Sequence, residues 1–592
     1  MIDEVEVDDG DIEISPSEFA TFKPTRRQSS MEMYNYDHSI HHSIKQKRLS
    51  MSFLATPIFK RMETSAQHIY EHFLIIGCPM SSDCSDEHPK PQILFCYPSA
   101  PLIFSPQEFK TIVHFCFPSE FKPIGEQDKK RLFMTQFIFR LTEASKGNAV
   151  YGVCTHVSAA ACNKSFFYDE RSKQYPFCFC FLTTNPMFSV IFQYETFLAM
   201  WTCQNIKFVP HPDAFLKYTP PTEEETPTLL PNLVFAAGSQ RAQSIRIPRA
   251  FLQELAWFHS LQANKDSKQD VTVSSHLHLV LPKLDSYEAY IQAPSLDSLF
   301  SALSLKNIVK LYSELLLEVQ TVFVSANIHK LTLSVIAAVT LLAPFNINGT
   351  LMPLLPRDSH FMALLESPVP YIAGLLVDEH EFIAPQGVCV VDLDHDLIIE
   401  QEAMPELPKF AALKHKLKTI LKEHEQSITV PQKTVKTGVL KKTTKVNEKY
   451  INFLRSVSDF AKPRVMVDQI PQKYIFTAEV VNQIMDCFMK SIAPTVEALI
   501  KPCFVTETTD INNPVTVFNK ELFLDSVPEN ARPFYSLFAT TTMFQDFCDT
   551  KTDATAQEIV DETQHRFSIG RRRRTTTRHA FESNNSSTAP LE

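Results

Sequence analysis

Glycine is scarce, with 11 residues in 592 against an average usage of about 7%. The shortage argues against most folds that wrap backbone around phosphate. The one GxxxxG spacing, between Gly147 and Gly152, is followed by Val153 and Cys154, so the lysine and hydroxyl that complete a phosphate-binding loop are missing. GxGxxG, GxSxG and HExxH are equally absent, which removes the commonest signatures of dinucleotide enzymes, serine hydrolases and zinc proteases. Among 13 cysteines there is no CxxC pair. That odd, scattered set reads as reduced thiols of a cytosolic protein rather than a disulfide framework, and Cys178 and Cys180 inside PFCFCFL read as small core residues. Long apolar runs are missing too. The most apolar stretch, residues 331–345, carries three hydroxyl side chains and a proline near its end, short of the roughly 20 residues that span a bilayer, so a buried helix is expected. The acidic opening MIDEVEVDDGDIEISPSEF lacks the features of a signal peptide.

What is present suits a large mixed protein. The chain is 67.5 kDa with 44% apolar and 21% charged residues and a net charge of -10. Its length corresponds to about three or four folded units, and the charge balance offers nucleic acid no general attraction. Residues 1–65 show no apolar period and read as a disordered arm. It carries two basic-x-Ser patterns, ending at Ser29 and Ser50, where phosphate would sit beside arginine. Residues 66–217 alternate short aromatic and β-branched runs with helical stretches, the mark of a mixed α/β block. A proline- and glutamate-rich linker is expected over 218–242 and a second α/β block over 243–402. In that block PVPYIAGLL and GVCVVDLD suit central strands covered on both faces. Residues 403–552 read as amphipathic helices interrupted by a lysine-rich loop over 426–470, and 553–592 as a disordered tail.

Chemistry is hard to find. His68 with His72 and His276 with His278 are close in sequence, but neither pair has a third ligand at a recognised spacing, so no metal is expected. VCVVDLDHDL, ending in Asp392, Asp394 and Asp396, resembles the aspartate-nucleophile motif of magnesium phosphatases. A strand followed by an acidic surface turn explains the same letters. The lysines between Lys433 and Lys449 could meet phospholipid or an acidic protein face, or form a solvated insertion. Without interleaved aromatics they do not suit nucleic acid.

Several ordered motifs nevertheless point one way. CYPSAP, FKTIVHFCFPSEF, FIFRLTEASKGNAVYGVC and FCFLTTNPMF, then LYSELLLEVQTVFVS, APFNINGTLMPLLP, SPVPYIAGLL and the VVDLD strand, then FNKELFLDSVPENARPFYSLFATTTMFQDF, together resemble the upstream, central and downstream parts of a DENN module. The likeness runs over about residues 70–550. It departs at Ile347, where the family usually has tryptophan, at Val319 and Gln320, which replace frequent arginines, and at Thr542, which replaces a common glutamine. The resemblance implies a bilobal α/β protein, with a longin-like N-terminal lobe, a central α/β lobe and a helical downstream region. It also implies guanine nucleotide exchange on a Rab-type small GTPase, GDP-bound or nucleotide-free, with no covalent chemistry and no cofactor. The setting would be the cytoplasm with peripheral contact to intracellular membranes. A DENN scaffold that binds without exchange stays open. Phe115, Phe117, Tyr151, Gly152, Glu318, Pro344, Phe345, Pro353, Pro356 and Gly374 then read as fold-making, and Asn346, Asn348, Arg357, Asp358, Asp392 and Asp394 as the partner face.

Overall fold

The computed structural model describes residues 68–79, 89–98, 104, 106–119, 121–125, 132–142, 149–158, 174–185, 187–204, 247, 249–262, 269–272, 278–281, 295–345, 347, 349–377, 382, 384–400, 402–429, 465–467, 476–507 and 515–550. Both terminal segments with Ser29 and Ser50, the 218–242 linker and the lysines from 433 to 449 lie outside them.

Two sheets organise the described chain. The N-terminal lobe is built on β1 (His72–Gly77), β2 (Gln92–Tyr97), β3 (Leu132–Thr142), β4 (Ala149–Ser158) and β5 (Pro176–Thr183). They are antiparallel in the order β3-β4-β5-β1-β2. Side chains alternate across the pleat. Phe73, Ile75, Phe177, Phe179 and Phe181 enter one core with helices α2 (Phe188–Gln204) and α3 (Arg249–Ser260). Leu74, Ile76, Cys178, Cys180 and Leu182 enter the other with α1 (Pro106–Cys116). A small hairpin, β6 (Gln269–Thr272) and β7 (His278–Leu281), adds Val271, Leu279 and Leu281 to the first of these cores. Gly152 has a specific reason to lack a side chain. A Cβ there would lie 2.0 Å from the Phe139 ring on the paired strand, so the aromatic covers the bare backbone instead.

The central lobe begins with α4 (Ser295–Ala302) and α5 (Leu305–Leu316), followed by β8 (Thr321–Ser325), α6 (Ile328–Thr340), β9 (Thr350–Leu355), the short α7 (Ser359–Met362), β10 (Tyr371–Leu376), β11 (Cys389–Asp392) and β12 (Leu397–Ile399). Residues 296–318 read as one helical stretch in the sequence. The structure breaks them at Ser304, which is extended and stands just before α5. The sheet order is β12-β11-β8-β10-β9, parallel except for β12. Phe323, Ile372 and Val391 face one core and Val322, Tyr371, Ala373 and Leu375 another, so β10 and β11 are covered on both sides, as their continuous apolar runs imply. Pro353 sits on the edge strand β9, where a missing N–H is tolerated. Its carbonyl approaches so closely that a Cβ on Gly374 would lie 2.2 Å away.

The apolar run at 331–345 becomes α6 followed by a turn. Asn327 caps the helix, its side chain accepting from the Lys330 amide. Leu331 and Val335 belong to one core, Leu333 and Ile336 to the N-terminal lobe's phenylalanine face. The same helix covers the open edge of β3: the Ile138 amide donates to Thr332 Oγ1, and His329 Nδ1 donates to the Gln136 carbonyl at 2.7 Å. Farther along that edge, β13 (Val465–Val467) pairs in parallel with residues Leu132 to Met134. Between them, helix and strand blunt an edge that could otherwise recruit another chain. The 426–470 loop expectation is thus corrected at both ends. Helix α8 (Phe410–Thr429) runs four residues into it, and the Val-Met-Val triplet forms a strand.

The C-terminal helices α9 (Ala478–Met489), α10 (Ala493–Ile500), α11 (Lys520–Ser526), α12 (Arg532–Phe538) and a last helix over 542–550 pack onto the central lobe, with a hairpin of β14 (Phe504–Glu507) and β15 (Val515–Phe518) among them. Phe345 supplies one of the contacts, with ring centroids 5.3 Å from Phe538 and 4.8 Å from Phe547. No helix among the described residues is long and apolar enough to cross a membrane.

Candidate functional site

In a mostly parallel sheet the carboxyl ends of the strands form the natural binding edge. β9 runs out through Pro356 to Arg357 and Asp358, and β11 through Asp392 to Asp394. Those four residues therefore share one edge of the central sheet. With β8 and β10 between β11 and β9, the two groups stand roughly 14 Å apart at about 4.8 Å per strand. Asn346 and Asn348 lie outside the described residues; their neighbour Gly349 precedes β9 at the opposite, amino edge. Ile347, in the tryptophan position, is buried.

The aspartates build the turn they stand in. Asp392 Oδ1 accepts from the amides of Asp394 and His395, and its Oδ2 meets His395 Nδ1 at 2.8 Å. Asp394 bridges to the start of α6, accepting from Ser325 Oγ, the Ala326 amide and Lys330 Nζ. Partial burial works to raise its pKa, but those donors outweigh burial and hold the carboxyl below its ordinary range. Asp396, with φ at 51°, accepts from the Ser304 amide at 2.7 Å and from Asn307 Nδ2. It thereby caps α5 where Ser304's own side chain makes no cap bond. The turn is a fastener that ties β11 to the starts of two helices, as an acidic surface turn after a strand would be.

Arg357 and Asp358 sit at the seam between the two lobes. The Arg357 amide donates to the Pro118 carbonyl of the N-terminal lobe at 3.3 Å, and its Nε donates to the Leu376 carbonyl at 2.7 Å. Asp358 opens α7, its carbonyl accepting from the amides of Phe361 and Met362. Phe361 then packs edge-on against Phe115, 5.2 Å between centroids. Phe115 in turn touches Phe139, and Phe117 stacks on His156. The FCFP letters at the end of α1 are thus the N-terminal half of a seam whose central half is Pro356 to Phe361. Both Arg357 and Asp358 are exposed beside it.

Three assignments follow from geometry alone. His68 and His72 do not converge: His68 stacks on His259 and His72 Nδ1 donates to the Pro98 carbonyl. Glu318 accepts from the amides of Thr542 and Met543 and from Thr542 Oγ1. Gln320, in an arginine position, donates to the carbonyls of Ser367 and Val369. The roles of Asp396 and Gln320 were missed in the sequence, since their partners are 89 and about 48 residues away and no local pattern announces them.

Comparison with known families identifies two domains within this architecture. The uDENN domain model matches residues 91–157, from β2 through β4, and the DENN (AEX-3) domain model matches residues 242–396, ending at the aspartate turn. The chain carries a uDENN and a DENN domain. Among curated relatives, DENN domain-containing protein 2A of Mus musculus is 32% identical over 108 residues, 18% of this chain and 11% of that protein. Elicitor of plant defense protein 1 of Fusarium odoratissimum is 34% identical over 120 residues, 20% and 13% of the two chains. DENN domain and WD repeat-containing protein SCD1 of Arabidopsis thaliana is 30% identical over 141 residues, 23% and 12%. The matched stretches thus span only 11% to 13% of those relatives' own length. In this chain the uDENN and DENN stretches meet at the seam beside Arg357.

Proposed function

We propose that the chain is a guanine nucleotide exchange factor for a Rab-type small GTPase. The observation that carries the reading is the uDENN–DENN pair in order, joined by a seam that leaves Arg357 and Asp358 exposed. Exchange is a binding act. A factor that prefers the nucleotide-free GTPase must, by linkage, weaken GDP by the same factor, and it needs no nucleophile or cofactor of its own. The partner would lie along the carboxyl edge of the central sheet, meeting Arg357 and Asp358 and the outward side of the Asp392–Asp394 turn. The upstream (66–217), central (243–402) and downstream (403–552) units would act as one module in the cytoplasm, touching membranes peripherally.

The test is release of a fluorescent GDP analogue from a panel of Rab proteins with catalytic amounts of the chain. Acceleration of one or a few supports exchange. Binding of a Rab with equal affinity for its empty and GDP-loaded forms, and no acceleration, would leave a non-exchanging scaffold. The buried isoleucine in the tryptophan position is the observation that favours that second reading.

A further inference from the structure

Four cysteines that play no part in the GTPase reading converge inside the N-terminal lobe. Cys116 ends α1, Cys154 lies in mid-β4, and Cys180 is its direct partner on β5. Their three sulfurs all lie within 4.8 Å of one another, with Cys116 and Cys154 at 3.9 Å. Cys178 lies two residues along β5 on the same face and in the same core, its thiol donating to the Phe179 carbonyl at 3.2 Å. None of the four is accessible to solvent.

Ordinary core packing explains a cysteine on a crowded face, and it also explains a pair in contact. It does not call for three separate elements delivering sulfur to one point. A metal–sulfur bond of about 2.3 Å sets the sulfurs of a tetrahedral or trigonal site about 3.8–4.0 Å apart, the spacing Cys116 and Cys154 already have. The placement is also held. His156 Nε2 donates to the Cys116 carbonyl at 2.5 Å and its ring stacks on Phe117, pinning the end of α1 over β4. Such outer contacts pre-orient a ligand set. No oxygen or nitrogen ligand belongs to the group of three, so hard cations such as magnesium and calcium are excluded, and soft thiolates select copper(I) or zinc.

We propose that Cys116, Cys154 and Cys180, with Cys178 as a fourth sulfur, bind one thiophilic closed-shell metal ion that fastens α1 to the sheet. Each sulfur that joins the metal releases its thiol proton to solvent, and the ion keeps its oxidation state. The two candidate ions differ in what they need. Zinc takes four ligands, and in a site closed to water the fourth must be Cys178 turned inward from the Phe179 carbonyl. Copper(I) is satisfied by the three sulfurs already together.

The full chain, stripped of metal and kept reduced, is titrated with Zn2+ and, anaerobically, with Cu+, against chromophoric chelators. The expected result is one tight equivalent and a raised melting temperature in the wild-type protein. Affinity should drop by more than about a hundredfold in Cys116→Ser, Cys154→Ser and Cys180→Ser. Cys503→Ser, a buried thiol of the C-terminal helices, serves as control and should keep the equivalent. Loss in Cys178→Ser marks zinc, and retention marks copper(I). Cobalt(II) substituted into wild-type protein should show sulfur-to-metal charge transfer, a readout that survives even if a variant fails to fold. Absence of a tight equivalent in the wild type, or its persistence in the Cys116→Ser/Cys154→Ser double variant, would overturn the proposal.

Discussion

The carboxylate of Glu318 caps the helix that starts at Thr542, accepting from its amide at 3.0 Å and its hydroxyl at 2.6 Å, with the Met543 amide as a third donor. The two residues are 224 positions apart. Glu318 does this from a left-handed backbone, φ 55°, in the turn between α5 and β8. A negative charge at a helix start is favourable through the aligned peptide dipoles, so one side chain ends a helix of the central lobe and begins one of the C-terminal region.

Glu318→Ala should therefore destabilise by about 1–3 kcal/mol, because two amides lose their partner. Glu318→Gln, which keeps the acceptor but not the charge, should lose less. Hydrogen exchange read peptide by peptide should show residues 542–550 opening faster in Glu318→Ala while β1 to β5 keep their protection. Uniform loosening of both lobes would contradict the assignment.

Asp297 in α4 is buried and accepts from the Phe476 amide ahead of α9. Burial pushes its pKa up to about 7, partly offset by that amide. The native state keeps a proton that the unfolded chain gives up near pH 4. The stabilisation is complete below that pH, falls as pH rises, and is gone once pH passes about 7, a change of roughly 4 kcal/mol at the upper end. Asp297→Asn keeps the acceptor and should flatten this slope and raise stability at neutral pH. Asp394 has the opposite sign. Its depressed pKa adds stability above the ordinary carboxylate range that is lost on acidification, and its exposure keeps the effect small. Chemical denaturation of each Asp→Asn variant at several pH values separates the two.

Two glycines should fail for different reasons. Gly374→Ala drives a methyl group to 2.2 Å from the Pro353 carbonyl and should cost several kcal/mol or prevent folding, because backbone and not a flexible side chain must move. Gly387→Ala meets nothing within 4 Å, but its φ is +85°, so about 1–2 kcal/mol of strain is expected. Midpoints of denaturant unfolding would rank them, and a larger effect at Gly387 would be inconsistent with this packing.

On the proposed exchange reading, replacing Arg357 and Asp358 together by alanine should slow catalysed GDP release about tenfold, or about 1.4 kcal/mol, with the melting temperature lowered only by what the exposed Arg357 Nε bond to the Leu376 carbonyl contributes. The Arg357 amide keeps its bond to Pro118 whatever its side chain. An unaltered rate with a responsive Rab would remove these residues from the partner face.

Much of the architecture was legible because it is written in local patterns. Short runs of aromatic and β-branched residues marked β1, β4 and β5, continuous apolar runs marked β10 and β11, and the run that became α6 was too short for a membrane and too apolar for a surface. What escaped depends on pairs far apart in sequence. Nothing near Ser304 announces that Asp396 will cap its helix. Nothing in Val465 to Val467 announces a pairing with β3, since three residues carry almost no periodicity. The partner face was the least legible: residue type pointed equally to Arg357 and to Asp394, and only coordinates reveal that Asp394 is bound to Lys330, Ser325 and the Ala326 amide.

Helix α6 places Leu331 and Val335 on one side and Leu333 and Ile336 on the other, in two separate cores. Neither sheet can shed this helix without also baring the other's interior, so the pair should melt in a single transition. A hinge between them is thereby denied, and whatever docks across the seam meets an unyielding anvil and must do the bending itself.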